Sequence, residues 1–393
     1  MNEILLTLNA GSSSLKFAMF DADAASNRAR MSGEVANIGR APVFSAKDAN
    51  GKVLDKGAME KLDAASNHDL LIAKLLQWIA ERHGDQKLVA VGHRVVHGGR
   101  QFSKPTRVTD AVLQELETLV PLAPLHQPHN LAAIRAVAKW KPDLPQIACF
   151  DTVFHHSQSR LAQLFALPRA LSDEGIIRYG FHGLSYDYIA GVLPEYLGDQ
   201  AGGRVIVAHL GNGASMCAMK NRQSVATSMG FTALDGLMMG SRCGTIDPGV
   251  LLYLLQAKGM DAGTIEDLLY RQSGLLGVSG ISNDMSVLEQ SDAPHARDAI
   301  DLFNYRAASI LASLVPAIGG LDALVFTAGI GENSARTRQL ICDQLDWLGV
   351  ALEPAENDRN AALISAAKSR VKVFVVPTNE EAIVARDCRR FLS

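Results

Sequence analysis

Residues 5–20 read LLTLNAGSSSLKFAMF, two apolar arms on either side of a polar turn. Leucines fill the first arm, and in the second arm apolar residues alternate with Lys16 and Ala18, which is the pattern of a half-buried strand. One glycine and three serines between the arms suit a tight turn whose hydroxyl and N–H groups can face an anion. We therefore predict a β-hairpin that holds a polyphosphate, with an ordinary polar hairpin as the alternative.

The turn of this hairpin carries candidate ligand-binding groups. Ser12 and Ser14 supply hydroxyls, Lys16 supplies a cation just past the turn, and Asn9 supplies a neutral oxygen at the end of the first strand. Together these groups can surround a polyphosphate and its metal ion. A P-loop is excluded, because the sequence lacks its glycine-lysine spacing and because a strand follows the turn where a P-loop has a helix.

Length and composition favour a two-domain protein without nucleic-acid or membrane partners. The 393 residues are 48% hydrophobic, and their net charge of -3 gives no basic excess for nucleic acid or an anionic membrane. The five cysteines are scattered and contain no C-x-x-C, which suits a reducing cytosol. No signal-peptide pattern opens the chain, and no apolar run reaches the roughly 20 residues of a membrane span. We expect a cytoplasmic protein.

Predicted strands and helices alternate along the rest of the chain, so the expected fold class is α/β. A buried strand at 204–209 passes through Gly211-Asn212-Gly213 into a second strand, which repeats the pattern of the opening hairpin and suggests an internal duplication. A third glycine-rich turn is predicted at 329–334. Two phosphate-binding hairpins and one base or ribose turn would explain the three turns, with ordinary strand-end turns as the alternative. Helices are predicted at 66–84, 110–120, 130–140, 248–258, 264–272, 296–318, 335–348 and from 380 onward.

Two arginines and two carboxylates lie at predicted strand or helix ends. Arg94 in GHRVVHGG and Arg242 in GSRCG are flanked by small residues, so each can bind a carboxylate or phosphoryl group through two parallel bonds. A structural ion pair is the alternative for each arginine. Asp151 follows a buried strand and Glu380 opens a helix, positions where a carboxylate holds Mg²⁺ or caps the helix.

The histidines form no recognisable zinc motif. His126 and His129 have helical spacing, but the sequence has no H-E-x-x-H, and Pro128 argues against a helix through this pair. His182 lies in YGFHG, where we predict a glycine-flanked turn. From such a turn its ring can donate a hydrogen bond to a developing negative charge.

Read together, these motifs resemble the acetate kinase family. The resemblance implies the fold of sugar kinases, Hsp70 and actin, in which two ribonuclease-H-like α/β domains enclose a nucleotide cleft. The domains would be 1–150 with 378–393, and 151–377. It also implies ATP or ADP, Mg²⁺ or substituting Mn²⁺, acetate, acetyl phosphate and a cytoplasmic homodimer. The matching runs span residues 8–381 in the family's order: LNAGSSSLKF, GHRVVHGG, PLHQP, FDTVFH, YGFHG, HLGNGAS, TSMGFT, RCGTIDPG, FTAGIGENS and PTNEE.

The resemblance also implies roles for single residues. Asn9 and Glu380 match the magnesium positions, Arg94 the carboxylate-binding arginine and Asp151 the catalytic aspartate. His182 and Arg242 match the transition-state stabilisers, and His126 lies on an active-site motif. The acetate methyl would lie among Val96, Leu125, Phe181 and Ala233. The implied nucleotide contacts are Ser12, Ser14, Lys16, His209, Leu210, Gly211, Asn212, Gly213, Asp284, Met285, Ser286, Gly329, Ile330, Gly331, Glu332 and Asn333.

Four positions depart from the family's pattern. Leu184 and Tyr186 stand where the family usually reads F-H-G-T-S-H, Ser286 stands where many members have an arginine near the adenine, and Ala233 replaces a proline. A kinase for propionate or another short-chain acid is the alternative activity, and an ATP-gated interaction protein is the alternative from another class. We expect direct in-line transfer of the phosphoryl group, with a phospho-Glu380 intermediate as the other route.

Overall fold

The computed structural model describes residues 3–11, 14–23, 28–39, 41–59, 62, 68–82 and 86–392, and it confirms the α/β class. The strands are β1 Glu3–Ala10, β2 Leu15–Asp21, β3 Met31–Ala36, β4 Val43–Asp48, β5 Lys87–Val95, β6 Thr106–Arg107, β7 Gln146–Phe150, β8 Arg204–Leu210, β9 Ala214–Lys220, β10 Gln223–Thr227, β11 Ala323–Thr327 and β12 Lys372–Val375.

The α-helices range from single turns to 25 residues. They are α1 His68–Arg82, α2 Asp110–Thr118, α3 Gln127–Trp140, α4 Arg160–Gln163, α5 Arg169–Asp173, α6 Gly183–Leu197, α7 Pro248–Gln256, α8 Ala262–Arg271, α9 Gly274–Ser279, α10 Met285–Glu289, α11 Pro294–Ile318, α12 Ala328–Asn333, α13 Ala335–Asp343, α14 Pro354–Asp358 and α15 Glu380–Leu392. Short 3₁₀ helices lie at Gly57–Met59, Val120–Leu122, Val153–Ser157, Gly198–Gly202 and Asp346–Leu348.

The chain forms two compact units, residues 1–153 with 379–393 and residues 154–378. In the first unit the strand order is β4-β3-β2-β1-β5-β7-β6. The predicted opening hairpin is confirmed, since β1 and β2 are antiparallel with Asn9 opposite Lys16. β1, β5 and β7 are parallel neighbours, so the chain leaves all three at the same edge of the sheet. This edge carries the first group of candidate site residues.

Helices cover both faces of this first sheet. On one face α1 packs Trp78, fully buried, edge-on against the rings of Phe17 and Phe44. On the other face α15 lies so close to β5 that a Cβ on Gly92 would stand 2.4 Å from Val384 Cγ1. The absence of a side chain at Gly92 therefore lets the middle of α15 pack directly on β5.

The second unit repeats the strand arrangement of the first. Its order β10-β9-β8-β11-β12 corresponds strand for strand to β3-β2-β1-β5-β7, with an antiparallel meander followed by parallel strands. The turn after β8 is closed by a hydrogen bond from Gly211 N to Gly213 O. The repeated topology agrees with the internal duplication suggested by the two hairpin sequences.

Several local predictions are corrected by the structure. Residues 329–334 are no simple turn, because α12 begins at Ala328 with a left-handed φ of 66° directly after β11. The helix expected over 335–348 ends at Asp343, and a 3₁₀ turn follows at Asp346–Leu348. α6 was not predicted. The ends of the helix predicted at 66–84 lie outside the described residues.

The helix through the His126 and His129 region is a further correction. α3 begins at Gln127 and includes both Pro128 and His129. Proline is tolerated in the first turn of a helix because the N–H that it lacks has no intrahelical partner there. Pro128 therefore marks the beginning of the helix, and His126 is its N-cap residue.

In the part of the chain that the structure describes, no helix has the length and apolar character of a membrane span.

Candidate active site

The first unit brings together four of the predicted site residues around Arg94. Arg94 lies in β5, and Asp151 directly follows the neighbouring parallel strand β7. Arg94 Nε lies 3.1 Å from each carboxylate oxygen of Asp151, and Arg94 Nη2 donates to Oδ2 at 2.6 Å. The Asp151 side chain is 1% exposed and that of Arg94 is 17% exposed. This is a nearly buried, bidentate ion pair.

Asn9 and Glu380 complete this cluster from two other elements. Arg94 Nη1 donates to Asn9 Oδ1 at 3.1 Å, and Glu380 Oε2 lies 3.7 Å from Arg94 Nε. Burial opposes the positive charge, but the carboxylates of Asp151 and Glu380 outweigh it and raise the pKa of Arg94. Burial also raises the pKa of Asp151, against the charge and hydrogen bonds of Arg94. We call Asn9, Arg94, Asp151 and Glu380 the arginine cluster.

Glu380 was considered either as a metal ligand or as the cap of the C-terminal helix α15. The residue that caps α15 is Asn379, whose Oδ1 accepts a hydrogen bond from Ala382 N at 3.0 Å. Glu380 is the first residue of the helix, and its carboxylate points to the arginine cluster instead. Its neighbour Glu381 has a raised pKa, chiefly because it is buried and also because Glu380 is negatively charged.

The oxygen atoms of the arginine cluster suit a magnesium ion. Mg²⁺ prefers oxygen ligands, and it usually takes one or two protein carboxylates together with water and substrate phosphates. Glu380 and Asn9 supply a carboxylate and an amide oxygen on either side of Arg94. The described residues contain no group of three or more His, Cys, Asp or Glu that could hold a metal by itself. The donor set therefore fits a metal ion that is completed by nucleotide and water.

The remaining predicted residues of the first unit lie near the ends of β1 and β5. Gly11 N donates to Ser14 O at 2.8 Å, and Lys16 pairs across the hairpin with Asn9. Val96 is buried, and its N–H donates to Asn130 Oδ1. Leu125 and His126 are partly exposed just before α3. Ser12 lies outside the described residues.

In the second unit His182 stands at the start of α6 in a left-handed conformation with φ 58°. Its ring stacks on that of His209 with centroids 4.2 Å apart, and its Nδ1 is 2.7 Å from Ser215 Oγ. The preceding carbonyl, of Phe181, accepts a hydrogen bond from His155 Nε2 at 2.9 Å. Burial lowers the pKa of His155 to about 4, so this support is a neutral imidazole.

Arg242 and His182 meet at the turn after β8. A Cβ on Gly213 would lie 3.4 Å from His182 Nε2 and 3.8 Å from Arg242 Nη1. The same Nη1 donates to the carbonyl of Ala233 at 2.9 Å, which fixes the guanidinium. Two nitrogen donors from different parts of the chain therefore flank one glycine turn, an arrangement suited to an anion.

A cavity of about 480 Å³ beside this turn contains many of the implied nucleotide contacts. Its volume falls within the usual range of small-molecule sites. Ser334, from the predicted turn at 329–334, also lines it, whereas Asn283 and Glu289 line it and were missed in the sequence. Asn283 adjoins the predicted Asp284, but nothing in the sequence singled out Glu289. The predicted residues that line the cavity are Gly211, Asn212, Asp284, Met285, Ser286, Gly329, Ile330 and Asn333.

The other implied nucleotide contacts of this unit are not among the residues that line the cavity. Glu332 Oε1 accepts hydrogen bonds from Ala328 N at 2.7 Å and from Thr378 N at 3.1 Å. Gly331 is buried, and its carbonyl accepts from the buried Arg338. His209, Leu210 and Gly213 belong to β8 and its turn and do not line the cavity.

The chain is similar to known proteins over nearly its whole length. The model of the acetokinase family matches residues 4–386. An acetate kinase of Rhodopseudomonas palustris (strain ATCC BAA-98 / CGA009) is 54% identical over 394 residues, which cover 98% of each protein. A propionate kinase from Francisella tularensis superposes with a TM-score of 0.89 at 36% identity, covering 98% of both chains. Porphyromonas gingivalis acetate kinase superposes with a TM-score of 0.85 at 35% identity, covering 100% of both chains. These structures confirm the expected fold class.

Proposed function

This chain belongs to the acetokinase family, and we propose that it transfers the γ-phosphoryl group of ATP to acetate, giving acetyl phosphate and ADP, and catalyses the reverse reaction. The observation that carries the proposal is the arginine cluster. It combines a guanidinium, which binds carboxylates through paired N–H groups, with oxygen ligands for a metal. A carboxylate-phosphorylating enzyme needs both.

Arg94 has donors left for the substrate. Asp151 and Asn9 engage the Nε–H, one N–H of Nη2 and one N–H of Nη1. A guanidinium has five N–H groups, so within the described residues two remain for acetate or the transferring phosphoryl group. Because Arg94 already binds both oxygens of Asp151, we assign Asp151 the role of orienting Arg94 rather than of an obligatory base.

Charge neutralisation is the main task of the remaining groups. Acetate is already an anion, so the barrier lies in bringing two negatively charged groups together, and catalysis depends on positioning and electrostatics. His182 and Arg242 flank the Gly213 turn and can donate to the phosphoryl group there. Mg²⁺, or Mn²⁺ in its place, when held by Asn9 and Glu380, would neutralise phosphate oxygens. We propose direct in-line transfer, with a phospho-Glu380 route as the alternative.

The cavity in the second unit is the proposed nucleoside site. Among the described residues, its lining includes the carboxylates of Asp284 and Glu289 and no lysine or arginine. Phosphates are disfavoured there, which supports placing the base and ribose in the cavity and the phosphates towards the turn at Gly211 and Gly213. Ser286, in place of an arginine, gives the base no cation to stack on.

We also propose a homodimer located in the cytoplasm. No residue of α7 is buried, and Leu252 and Tyr253 are each more than half exposed in this strongly apolar helix. A second copy of the chain would cover this face, since large exposed apolar patches mark interaction sites. Light scattering after size exclusion should give twice the mass of 42.1 kDa, and Leu252→Glu should lower it towards one chain.

The decisive experiment is an acid panel in which hydroxylamine traps the acyl phosphate. We expect ADP and acyl hydroxamate to form together with ATP, Mg²⁺ and acetate, and to disappear when EDTA is added or acetate is omitted. Propionate and butyrate in the same panel test the alternative substrates, which the structural similarity to a propionate kinase makes worth testing. ADP formation that is independent of any carboxylic acid would contradict the proposal and favour an ATP-gated interaction protein.

A further inference from the structure

Glu289, at the end of α10, forms part of the cavity wall in the second unit. Its Oε1 is joined to Ser334 Oγ by a hydrogen bond of 2.5 Å, and both residues line the cavity. The Ser334 hydroxyl donates this bond, because an ionised carboxylate can only accept. Ser334 is buried, and its Oγ also accepts from Thr337 N at 3.0 Å as the N-cap of α13. The carboxylate of Glu289 is therefore anchored to the beginning of a helix.

No ion pair within the described residues accounts for the position of Glu289. Burial lowers the pKa of Arg338 to about 10, and the charge of Glu289 is among those that oppose this shift. The guanidinium of Arg338, however, donates its hydrogen bonds to Gly331 and Asn357 and not to Glu289. Ser334 is the one donor to Glu289 in the part of the chain that the structure describes. A carboxylate can accept about four hydrogen bonds, so Oε2 is available to a ligand.

The surroundings of Glu289 determine which kind of ligand group fits beside it. The other residues that line the cavity are uncharged except Asp284, which is exposed and caps α10 by accepting from Ser286 N at 2.9 Å. Glu289 is half-buried, so its charge is less screened by water than that of Asp284. Such a carboxylate repels phosphate and attracts an uncharged N–H or O–H donor.

We propose that Glu289 is a specificity-determining residue whose Oε2 accepts a hydrogen bond from the nucleoside of ATP or ADP. This inference rests on the proposed function, which places the nucleoside in the cavity. The ribose hydroxyls and the 6-amino group of adenine are the two sources of such a donor. A nucleoside that lacks the donor leaves the carboxylate without its partner and is rejected, since an unpaired polar group in a binding site costs affinity.

Calorimetric titration of the full chain with ADP and three analogues tests the inference without turnover. 2′-Deoxy-ADP and 3′-deoxy-ADP each lack one ribose hydroxyl, and purine riboside diphosphate lacks the 6-amino group. We expect the native protein to bind at least one analogue about tenfold more weakly than ADP, the effect of one hydrogen bond to a charged group. The affected analogue identifies the donor. In Glu289→Met, which keeps the length of the side chain and removes both oxygens, this difference should disappear.

The ratio of the two Kd values separates recognition from packing. If the bond between Glu289 and Ser334 only supports the fold, its loss weakens ADP and the analogues equally and leaves the ratio unchanged. Glu289→Gln keeps an acceptor for Ser334 and removes the charge, so it should lower the ratio, and it carries the test if Glu289→Met does not fold. Glu195→Met, the same change at an exposed position of α6, should alter neither the Kd of ADP nor the ratio.

Equal affinity of the native protein for ADP and all three analogues would overturn the inference. Ratios in Glu289→Met and Glu289→Gln that match the native ratio would overturn it as well. Failure of the proposed function is a separate outcome, because a protein can bind ADP and discriminate among the analogues and still form no acetyl phosphate in the acid panel.

Discussion

The guanidinium of Arg94 lies against both carboxylate oxygens of Asp151, with contacts of 3.1, 3.1 and 2.6 Å, in a site where the aspartate is almost entirely buried. Each charge is stabilised mainly by the other, because burial disfavours both ionised forms. The pair therefore fixes the arginine for its substrate, and its disruption has consequences for stability as well as for activity.

Arg94→Ala should destabilise the fold by about 3–5 kcal/mol, the usual effect of leaving a buried charge unpaired. Without Arg94 the pKa of Asp151 rises further, and a carboxyl whose folded pKa exceeds its unfolded pKa loses stability as pH increases. Urea unfolding should therefore show a larger loss at pH 7 than at pH 5. Arg135→Ala, which removes an ion pair to the half-exposed Glu117, serves as the control and should cost less than about 1 kcal/mol at both pH values.

Glu380 and its neighbour Asn379 form a matched pair for the metal. If Glu380 holds Mg²⁺, Glu380→Ala should raise the Mg²⁺ concentration needed for half-maximal rate and lower the rate itself. Asn379→Ala removes the hydrogen bond to Ala382 and should cost about 1 kcal/mol of stability without changing the Mg²⁺ requirement. A magnesium titration and a denaturant titration of both variants separate these effects. If Glu380→Ala needs the same Mg²⁺ concentration for half-maximal rate as Asn379→Ala and the native protein, a metal role for Glu380 is refuted.

Acidification should weaken the turn that carries His182. Burial lowers the pKa of His155 to about 4, whereas an unfolded histidine titrates near 6.5. The unfolded chain therefore binds the proton first, and stability falls as pH decreases from about 6.5 towards 4, by roughly 3 kcal/mol for this group. His155→Gln should reduce that slope, and the largely exposed His295→Gln should leave it unchanged. Identical pH slopes in both variants and the native protein would exclude His155 as the titrating group.

The sequence predicts the parts of this molecule that depend on local patterns. Alternating apolar residues and a polar turn are sufficient for the β1–β2 hairpin. Pro128 suits the first turn of a helix, but the sequence did not show that α3 begins there, so the prediction treated the proline as a helix breaker. The left-handed conformation of Ala328 at the start of α12 is one that alanine seldom adopts, so residue preferences mispredict it. For Glu380 the sequence left helix capping and metal binding open, and the hydrogen bond from Ala382 N to Asn379 becomes visible only in the folded chain. Glu289 enters the cavity through tertiary packing and gives no local signal.

Arg242 should matter for turnover more than for nucleotide binding. Its Nη1 is held by the Ala233 carbonyl and lies beside Gly213, outside the cavity assigned to the nucleoside. Arg242→Ala should lower kcat about 10²–10³-fold, as expected for the loss of one preorganised donor, and should leave the Kd of ADP unchanged. Arg271→Ala, which removes an exposed arginine paired with Asp267, is the control. Near-normal turnover in Arg242→Ala would remove it from the mechanism.

Acyl-chain selectivity is the final prediction, and it concerns Ala233. A methyl group at a position where the family usually has a proline ring presents less surface to the acyl chain, which leaves room for an additional methylene. One methylene in a hydrophobic pocket is worth about 1–3 kcal/mol, or roughly 10–200-fold in selectivity. We expect acetate to be the best substrate, propionate to be used appreciably and butyrate poorly. Ala233→Pro keeps the carbonyl that accepts from Arg242 and should lower the ratio of kcat/KM for propionate to that for acetate. If that ratio does not change while acetate turnover is retained, neighbouring side chains fill the space and residue 233 does not set chain length.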